Sequence, residues 1–271
     1  MSLSPLSRVF TPAEAAILAE RIPGLPPEQR ERAMEIVREL ARQEARRKFD
    51  HLFPDETHEW MGETYFARDL YGPHMEFVGL GRDYIERCFR AANRVGKTVL
   101  GAYETACHLT GRYPNWWHGH RFDRPISAWA AGKSNETTRD IVQKELFGPV
   151  EGSKSSKHPS GTGVIPGDAI GSWTWRTGVS DLMDTIKIKH VSGRWSTLGL
   201  KSYEQGRGSF EGTAKHWAWL DEEPPLSVYG EVLIRLMTTG GRLALTYTPL
   251  EGMSETTIQF DEPEDLDRRY R

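Results

Sequence analysis

Residues 87–98, RCFRAANRVGKT, constrain the fold of this chain more than any other segment. A short apolar run enters a loop that ends in Gly96-Lys97-Thr98, and the helix-forming run VLGAYETACHL follows. Strand, loop and helix in that order meet the needs of a phosphate-binding loop. Successive backbone N–H groups at a helix N-terminus cradle an anion, and the lysine reaches the β and γ oxygens. The threonine hydroxyl is a ligand for Mg²⁺. Ala91, Ala92, Asn93, Arg94, Val95, Gly96, Lys97 and Thr98 are therefore the candidate nucleotide cradle. The full pattern has a glycine five positions before Gly96, where this chain has Ala91.

A second segment, WAWLDEE at 217–223, is an apolar strand that ends in acids. Its pattern is that of a strand whose aspartate, Asp221, orients Mg²⁺ and whose glutamate, Glu222, polarises the attacking water. Burial explains Trp217, Trp219 and Leu220 but not three consecutive acids at a strand's C-terminal edge, where open α/β sheets keep their chemistry. The bland alternative is an exposed turn before Pro224 and Pro225. A two-metal nuclease would need carboxylates from several segments, and no second strand-borne aspartate offers itself. Glu223 reads as a bystander. A third segment, GGRLALTYTPL at 240–250, ends a strand in Thr246, Tyr247 and Thr248. Hydroxyls there can sense the phosphate, although Thr and Tyr also simply favour strands.

The rest of the chain fits a soluble α/β protein. Mean hydropathy is −0.58, and no apolar run approaches the roughly 20 residues that span a bilayer. The N-terminus carries no secretion signal. Two cysteines, Cys88 and Cys107, suit a reducing compartment and fall in segments that read as buried. The net charge of −3 gives no overall basic surplus, so any contact with nucleic acid must be local or shared among subunits. Apolar runs at Arg87–Ala92, Ile126–Ala131, Thr185–His190, Ser196–Lys201, Trp217–Leu220 and Leu243–Tyr247 read as strands. They alternate with helical stretches at Lys97–Leu109, Asn135–Phe147 and Val228–Thr238, which implies a mainly parallel sheet. Residues 27–49 read as a long charged helix, preceded by a shorter one capped by Thr11; a solvated arm and a docking surface are both open. The Gly- and Ser-rich stretch 151–169 reads as a mobile loop whose lysines and histidine could meet phosphate. In NWWHGHRF, His118 and His120 lack further metal ligands, and the segment reads as a loop packing its tryptophans.

These segments resemble the ATPase half of tailed-phage large terminase subunits, in the branch whose phosphate loop reads approximately xNxxGKT. The matching pieces are AANRVGKT (91–98), GRYPNWWHGHRF (111–122), AAGKSNETTRD (130–140), GLKSYEQGRGSFEG (199–212), HWAWLDEE (216–223) and TYTP (246–249). They run in the family's order. The resemblance implies a P-loop NTPase fold of the ASCE type and a motor that moves double-stranded DNA into a procapsid. Expected partners are a portal protein, a small terminase subunit and further copies in a ring, a pentamer, in the host cytoplasm. ATP is the substrate and Mg²⁺ the cofactor. Carried over residue by residue, Lys97 is the phosphate lysine and Thr98 and Asp221 are the Mg²⁺ ligands. Glu222 is the catalytic base, and Thr246 and Thr248 form the coupling segment. Arg94 matches an arginine that acts in cis or as a finger for a neighbour, but sits two residues before Gly96 where relatives often place theirs three before. Arg139 and Arg207 are other finger candidates. An adenine-contacting segment is expected at Tyr71–Phe77, with Tyr71 or Phe77 stacking and His74 reading the base edge; core packing is the competing reading.

The resemblance also sets an expected organisation: a helical arm at 1–60, the ATPase domain at 61–255, and a charged linker or lid fragment at 256–271. The family's C-terminal nuclease domain is expected to be absent, and nuclease activity with it. The rival readings are another P-loop ATPase, helicase-like or a nucleotide kinase, and a degenerate nucleotide-binding assembly protein. No second motor domain and no arginine-rich lid support the first; Ala91 keeps the second open.

Overall fold

The computed structural model describes residues 22–24, 26–27, 29–34, 47–153, 156–249 and 254–261. The chain divides into two compact units, Met1–Arg47 and Lys48–Arg271. In the first, residue 27 and residues 29–34 are helical, as the charged periodicity predicts; residues 28 and 35–46 of the long helix and the shorter helix before it lie outside the described residues. The division falls earlier than the expected 60, because Phe49 and Phe53 belong to the second unit's core. Phe49 stacks on Tyr103 at 4.8 Å.

The second unit is built on a seven-stranded sheet. A small hairpin, β1 (His58–Trp60) and β2 (Glu63–Tyr65), and helix α1 (Gly72–Leu80) precede it. Strand β3 (Glu86–Arg90) then leads through the Gly96 loop into α2 (Lys97–Thr110). Strand β4 (Ser127–Gly132) is followed by α3, which begins at Asn135–Thr137, winds as a π-helix over Thr138–Gln143 and ends at Lys144–Phe147. The remaining elements are β5 (Val150–Glu151), β6 (His158–Pro159), β7 (Ile170–Trp175), β8 (Met183–Lys189), β9 (Trp195–Ser202), β10 (Trp217–Asp221), α4 (Leu226–Met237), β11 (Arg242–Tyr247) and α5 (Glu255–Asp261). The sheet order is β3-β11-β10-β4-β9-β8-β7. The first five strands are parallel, and β8 and β7 add antiparallel.

Burial on both faces explains the composition of the central strands. All five residues of β10 are buried, as parallel strands sandwiched between helices require. One face packs Trp217, Trp219 and Ala244 against α2; the other packs Ala218, Leu220, Leu243 and Leu245 against α4. Helix α2 lies so close to the sheet that a Cβ on Gly101 would stand 2.2 Å from the Trp219 indole nitrogen. Beneath α2 a buried charge is matched: Arg87 donates to both oxygens of Glu104 at 2.8 and 3.2 Å, and Arg87 and Glu104 are at most 2% exposed. Burial alone would raise the Glu104 carboxyl, but Arg87 and His108 hold it below the usual range. An unpaired charge at such depth would be strongly destabilising.

Three sequence expectations need correction. The stretch 151–169 is not a free loop in its described part. It forms the β5–β6 hairpin, and Val164 and Ile165 are fully buried with their N–H groups bonded to Glu145 and Leu146 carbonyls. Gly163 allows this, since a Cβ there would lie 2.4 Å from the Phe147 amide nitrogen. Lys157 is taken up by Asp181 rather than left for phosphate. Strand β7 was not among the expected strands, because the run IGSWTW shows neither a clean alternation nor a continuous buried stretch. Cys107 is buried as expected, whereas Cys88 is only partly so. The NWWHGHRF segment does pack its tryptophans: Trp117 is in the core, its indole donating to the His120 carbonyl at 2.9 Å. Among the described residues no helix is long and apolar enough to cross a membrane.

Candidate nucleotide-binding site

The loop between β3 and α2 turns through two left-handed residues, Arg94 (φ 64°) and Gly96 (φ 87°), and Gly96 caps α2. Glycine takes that conformation without strain, which is why the loop can end tightly on the helix. Lys97 begins α2 and is 7% exposed. Its ammonium folds back over the loop and donates to the Ala91 and Ala92 carbonyls at 3.0 and 2.7 Å. The loop is thus closed around the lysine that would meet phosphate. Asn93, Arg94 and Val95 form the exposed rim.

Asp221 ends β10 and faces this loop from two strands away. Thr98 points its hydroxyl at both carboxylate oxygens at 3.3 Å, and Thr246 of the intervening β11 donates to Asp221 Oδ1 at 2.8 Å. Trp219 in turn donates to the Thr246 hydroxyl at 2.9 Å, so the aspartate is held in a chain of oriented groups. Burial pushes the Asp221 carboxyl up to about 7, against the pull of the Thr246 and Thr98 bonds and of Lys97. The second threonine singled out in the sequence reaches the loop itself: Thr248 donates to Asn93 Oδ1 at 2.7 Å. The tip of β11 therefore touches both halves of the site.

Glu222 adopts a left-handed backbone, φ 67°, unusual for a residue with a long side chain. Its amide donates to the Thr246 carbonyl at 2.8 Å. The Tyr203 hydroxyl lies 2.9 Å from the Asp221 carbonyl and 3.0 Å from the Glu222 carbonyl, pinning the turn from below. The turn brings Glu222 to the wall of a cleft of about 700 Å³, shared with Lys133, Ser134, Thr248 and Ser254. Tyr203 is a positioning residue that sequence reasoning did not single out, although it lies within a quoted segment. Glu223, read as a bystander, accepts from Ser254 and from Thr257 at 2.9 Å and so fastens α5 to the strand end.

Tyr71 and His74 line a pocket of about 190 Å³ beside Gly96, together with Phe53, Tyr65 and Val99. His74 is tied to the loop through Nε2 and the Val95 carbonyl at 2.8 Å, which makes Nε2 the protonated nitrogen; Nδ1 is buried without a partner. Burial lowers the His74 pKa. Phe77 is not at this pocket. It is buried in the core with the Arg87 guanidinium 4.6 Å over its ring, because α1 turns it toward the sheet rather than the loop. Of the arginines, Arg94 is exposed on the loop, Arg139 is paired with Asp140, and Arg207 is bonded to Glu231.

A loop closed on a helix-borne lysine, facing a buried aspartate across one inserted strand, defines a P-loop NTPase fold, the mixed α/β class expected from the sequence. Within that class, residues 88–262 match the family described as "Terminase large subunit, T4likevirus-type, N-terminal", and the chain belongs to it. It is 39% identical over 207 residues to the large terminase subunit of Salmonella phage P22, a match covering 70% of this chain and 41% of that relative. The match thus spans about two fifths of the length of that curated relative. Among solved structures it is similar to the HK97 bacteriophage large terminase, with TM-score 0.43 and 13% identity over 76% of this chain and 37% of that one. It is also similar to the large terminase of a thermophilic bacteriophage, with TM-score 0.40 and 14% identity over 62% of this chain and 34% of that one. Likenesses this loose do not bear on the site.

Proposed function

We propose that this domain hydrolyses ATP and is the motor part of a terminase that drives double-stranded DNA into a procapsid. The observation that carries the reading is the meeting of Thr98, Asp221 and Thr246 within hydrogen-bond distance. Three segments far apart in sequence converge there, beside a lysine already enclosed by the phosphate loop. Lys97 exchanges its two carbonyl partners for β and γ phosphate oxygens. The carboxylate of Asp221, buried and bonded to hydroxyls, fits a divalent cation shared with Thr98, and Mg²⁺ bound there supplies neutralising charge to the phosphate oxygens. Glu222, on the cleft wall, takes the proton of the attacking water. Arg94 is exposed on the loop rim, suited to the charge that develops on the transferring phosphoryl group, in cis or toward a neighbour. Tyr71 stacks on the base, and His74 uncovers its buried, unpartnered Nδ1 to meet the base edge when nucleotide enters. Thr246 and Thr248 report the state of the site along β11.

The same reading assigns the domain a place in a ring of identical copies, five on the family's pattern, docked on a portal protein and loaded by a small terminase subunit in the host cytoplasm. Its test is steady-state ATP hydrolysis by the chain, with and without double-stranded DNA, beside Lys97→Ala and Glu222→Gln. Wild-type turnover should fall at least a hundredfold in both variants, and DNA should stimulate the wild type. Turnover indifferent to Glu222→Gln would remove Glu222 from the chemistry.

A further inference from the structure

The two sides of the sheet are covered unequally. On one side α2 and the core residues of α3 pack against Ile186, Ile188, Leu198 and Leu200 of β8 and β9. On the other side, α4 and the turns at Tyr203–Gln205 and Arg207–Phe210 cover β4, β10 and β11. Over β8 and β9 this second side faces solvent: Lys187 and Trp195 are exposed, and Thr185, Lys189, Thr197 and Lys201 are partly so.

Strand alternation and register fix what this face presents. Lys189 pairs with Trp195, Lys187 with Thr197 and Thr185 with Gly199, and directly opposed residues share a face. Lys187 Nζ donates to Thr197 Oγ1 at 2.8 Å, which confirms the side. Lys201 lies two residues beyond Gly199 on the same face. Gly199 abuts the Trp129 ring, over which Lys215 places its ammonium at 4.8 Å. These outward positions hold three lysines and no carboxylate, with Lys215 at their border. The Asp184 carboxylate nearby is engaged by Arg176 at 2.9 Å. In a chain of net charge −3 this is a concentrated positive surface.

We propose that this β8–β9 face, with Lys187, Lys189 and Lys201, is where the domain grips the phosphate backbone of double-stranded DNA. The inference rests on the DNA-motor reading and names the contact surface that reading leaves open. From the Lys189 row to Lys201 is six residues of strand, about 20 Å at the usual rise, or about six base-pair steps along a duplex. A row of lysines of that length, with the neighbouring Asp184 carboxylate already held by Arg176, matches a regularly charged polymer better than a folded acidic partner. Contacts of this kind position a duplex and read no sequence. Lys187 and Lys189 lie at the end of β9 away from the nucleotide cleft, which Tyr203 lines just beyond Lys201, so loss of these two leaves basal chemistry intact.

The test is binding of a fluorescent 20-base-pair duplex by this chain between about 50 and 200 mM salt, for wild type, Lys187→Ala/Lys189→Ala and Lys187→Arg/Lys189→Arg. Each phosphate contact contributes about 0.9 to the slope of log K against log salt. The alanine pair should therefore lower the slope by about 2 and weaken binding at least tenfold at the lowest salt. The arginine pair should keep the wild-type slope, and ATP hydrolysis without DNA should be unchanged in both. An alanine pair that binds with the wild-type slope overturns this surface while leaving the motor reading standing. Wild type that shows no affinity for duplex DNA, or is displaced equally by poly-glutamate, overturns the proposal; absent ATP hydrolysis would overturn the motor reading itself.

Discussion

At the scale of single residues, the site depends on groups whose role is set by what they do not carry as much as by what they do. Gly101 lets α2 settle onto β10 with the Trp219 indole filling the place of a Cβ. That indole donates to Thr246, which donates to Asp221. Gly101→Ala should therefore act in two ways. Overpacking should cost about 1–3 kcal/mol of stability, read as a lower melting temperature. Displacement of Trp219 should also weaken ATP turnover through Thr246, beyond what the lost stability explains at temperatures where the variant is folded. Unchanged stability would mean that the helix shifts freely and that the close approach is not required.

Among the elements, the tip of β11 and helix α5 form one connected unit. Thr246 reaches Asp221, Thr248 reaches Asn93, and the Tyr247 hydroxyl meets Thr257 of α5 at 2.6 Å. Ser254 caps α5 by accepting from the Thr257 amide at 3.1 Å, and its own hydroxyl is held by Glu223. The acid next to Glu222 is thus the anchor of the helix that follows β11. Glu223→Ala should loosen α5 by about 1 kcal/mol or more, the usual scale of a lost cap or charged hydrogen bond. Hydrogen exchange should then rise over residues 255–261 and remain unchanged over α4. Equal exchange in both proteins would return Glu223 to the bystander role.

Across the whole molecule, six histidines sit where burial holds their pKa below the ordinary value: His51, His74, His108, His120, His190 and His216. For His120 the value falls to about 4. Such a group takes its proton more readily in the unfolded chain, so stability present above about pH 6.5 is lost as pH falls toward the folded value. Asp221 works in the opposite sense: its carboxyl is raised to about 7, so acidification favours the folded form there. Between pH 7.5 and pH 5 the six histidines and Asp221 therefore pull in opposite directions, and the slope of stability with pH reports which prevails. If the histidines prevail, the melting temperature should fall steadily from pH 7.5 to pH 5, and a flat or rising profile would show that the buried histidines do not control stability. The same scale shows how much was legible beforehand. Six strands of the main sheet read correctly from the sequence: the central ones because sandwiched strands must be apolar on both faces, β8 and β9 because their core-facing residues alternate with outward ones. The seventh, β7, did not, because at the sheet edge its residues are only partly buried or exposed and show no alternation.

The sequence by itself determined the strand, loop and helix around Lys97, the acidic end of β10 and the strand–helix alternation, since each depends on neighbours a few residues away along the chain. Lys97, Thr98 and Asp221 were legible for that reason, as were the hydroxyls of Thr246 and Thr248. Only the tertiary structure decided that Phe77 turns to the core, that Tyr203 pins the Glu222 turn and that Glu223 holds α5. It also decided that Lys187, Lys189 and Lys201 share one uncovered face. Those outcomes depend on partners brought together by sheet order and register, and a register is set by the packing of whole faces rather than by any local run of residues.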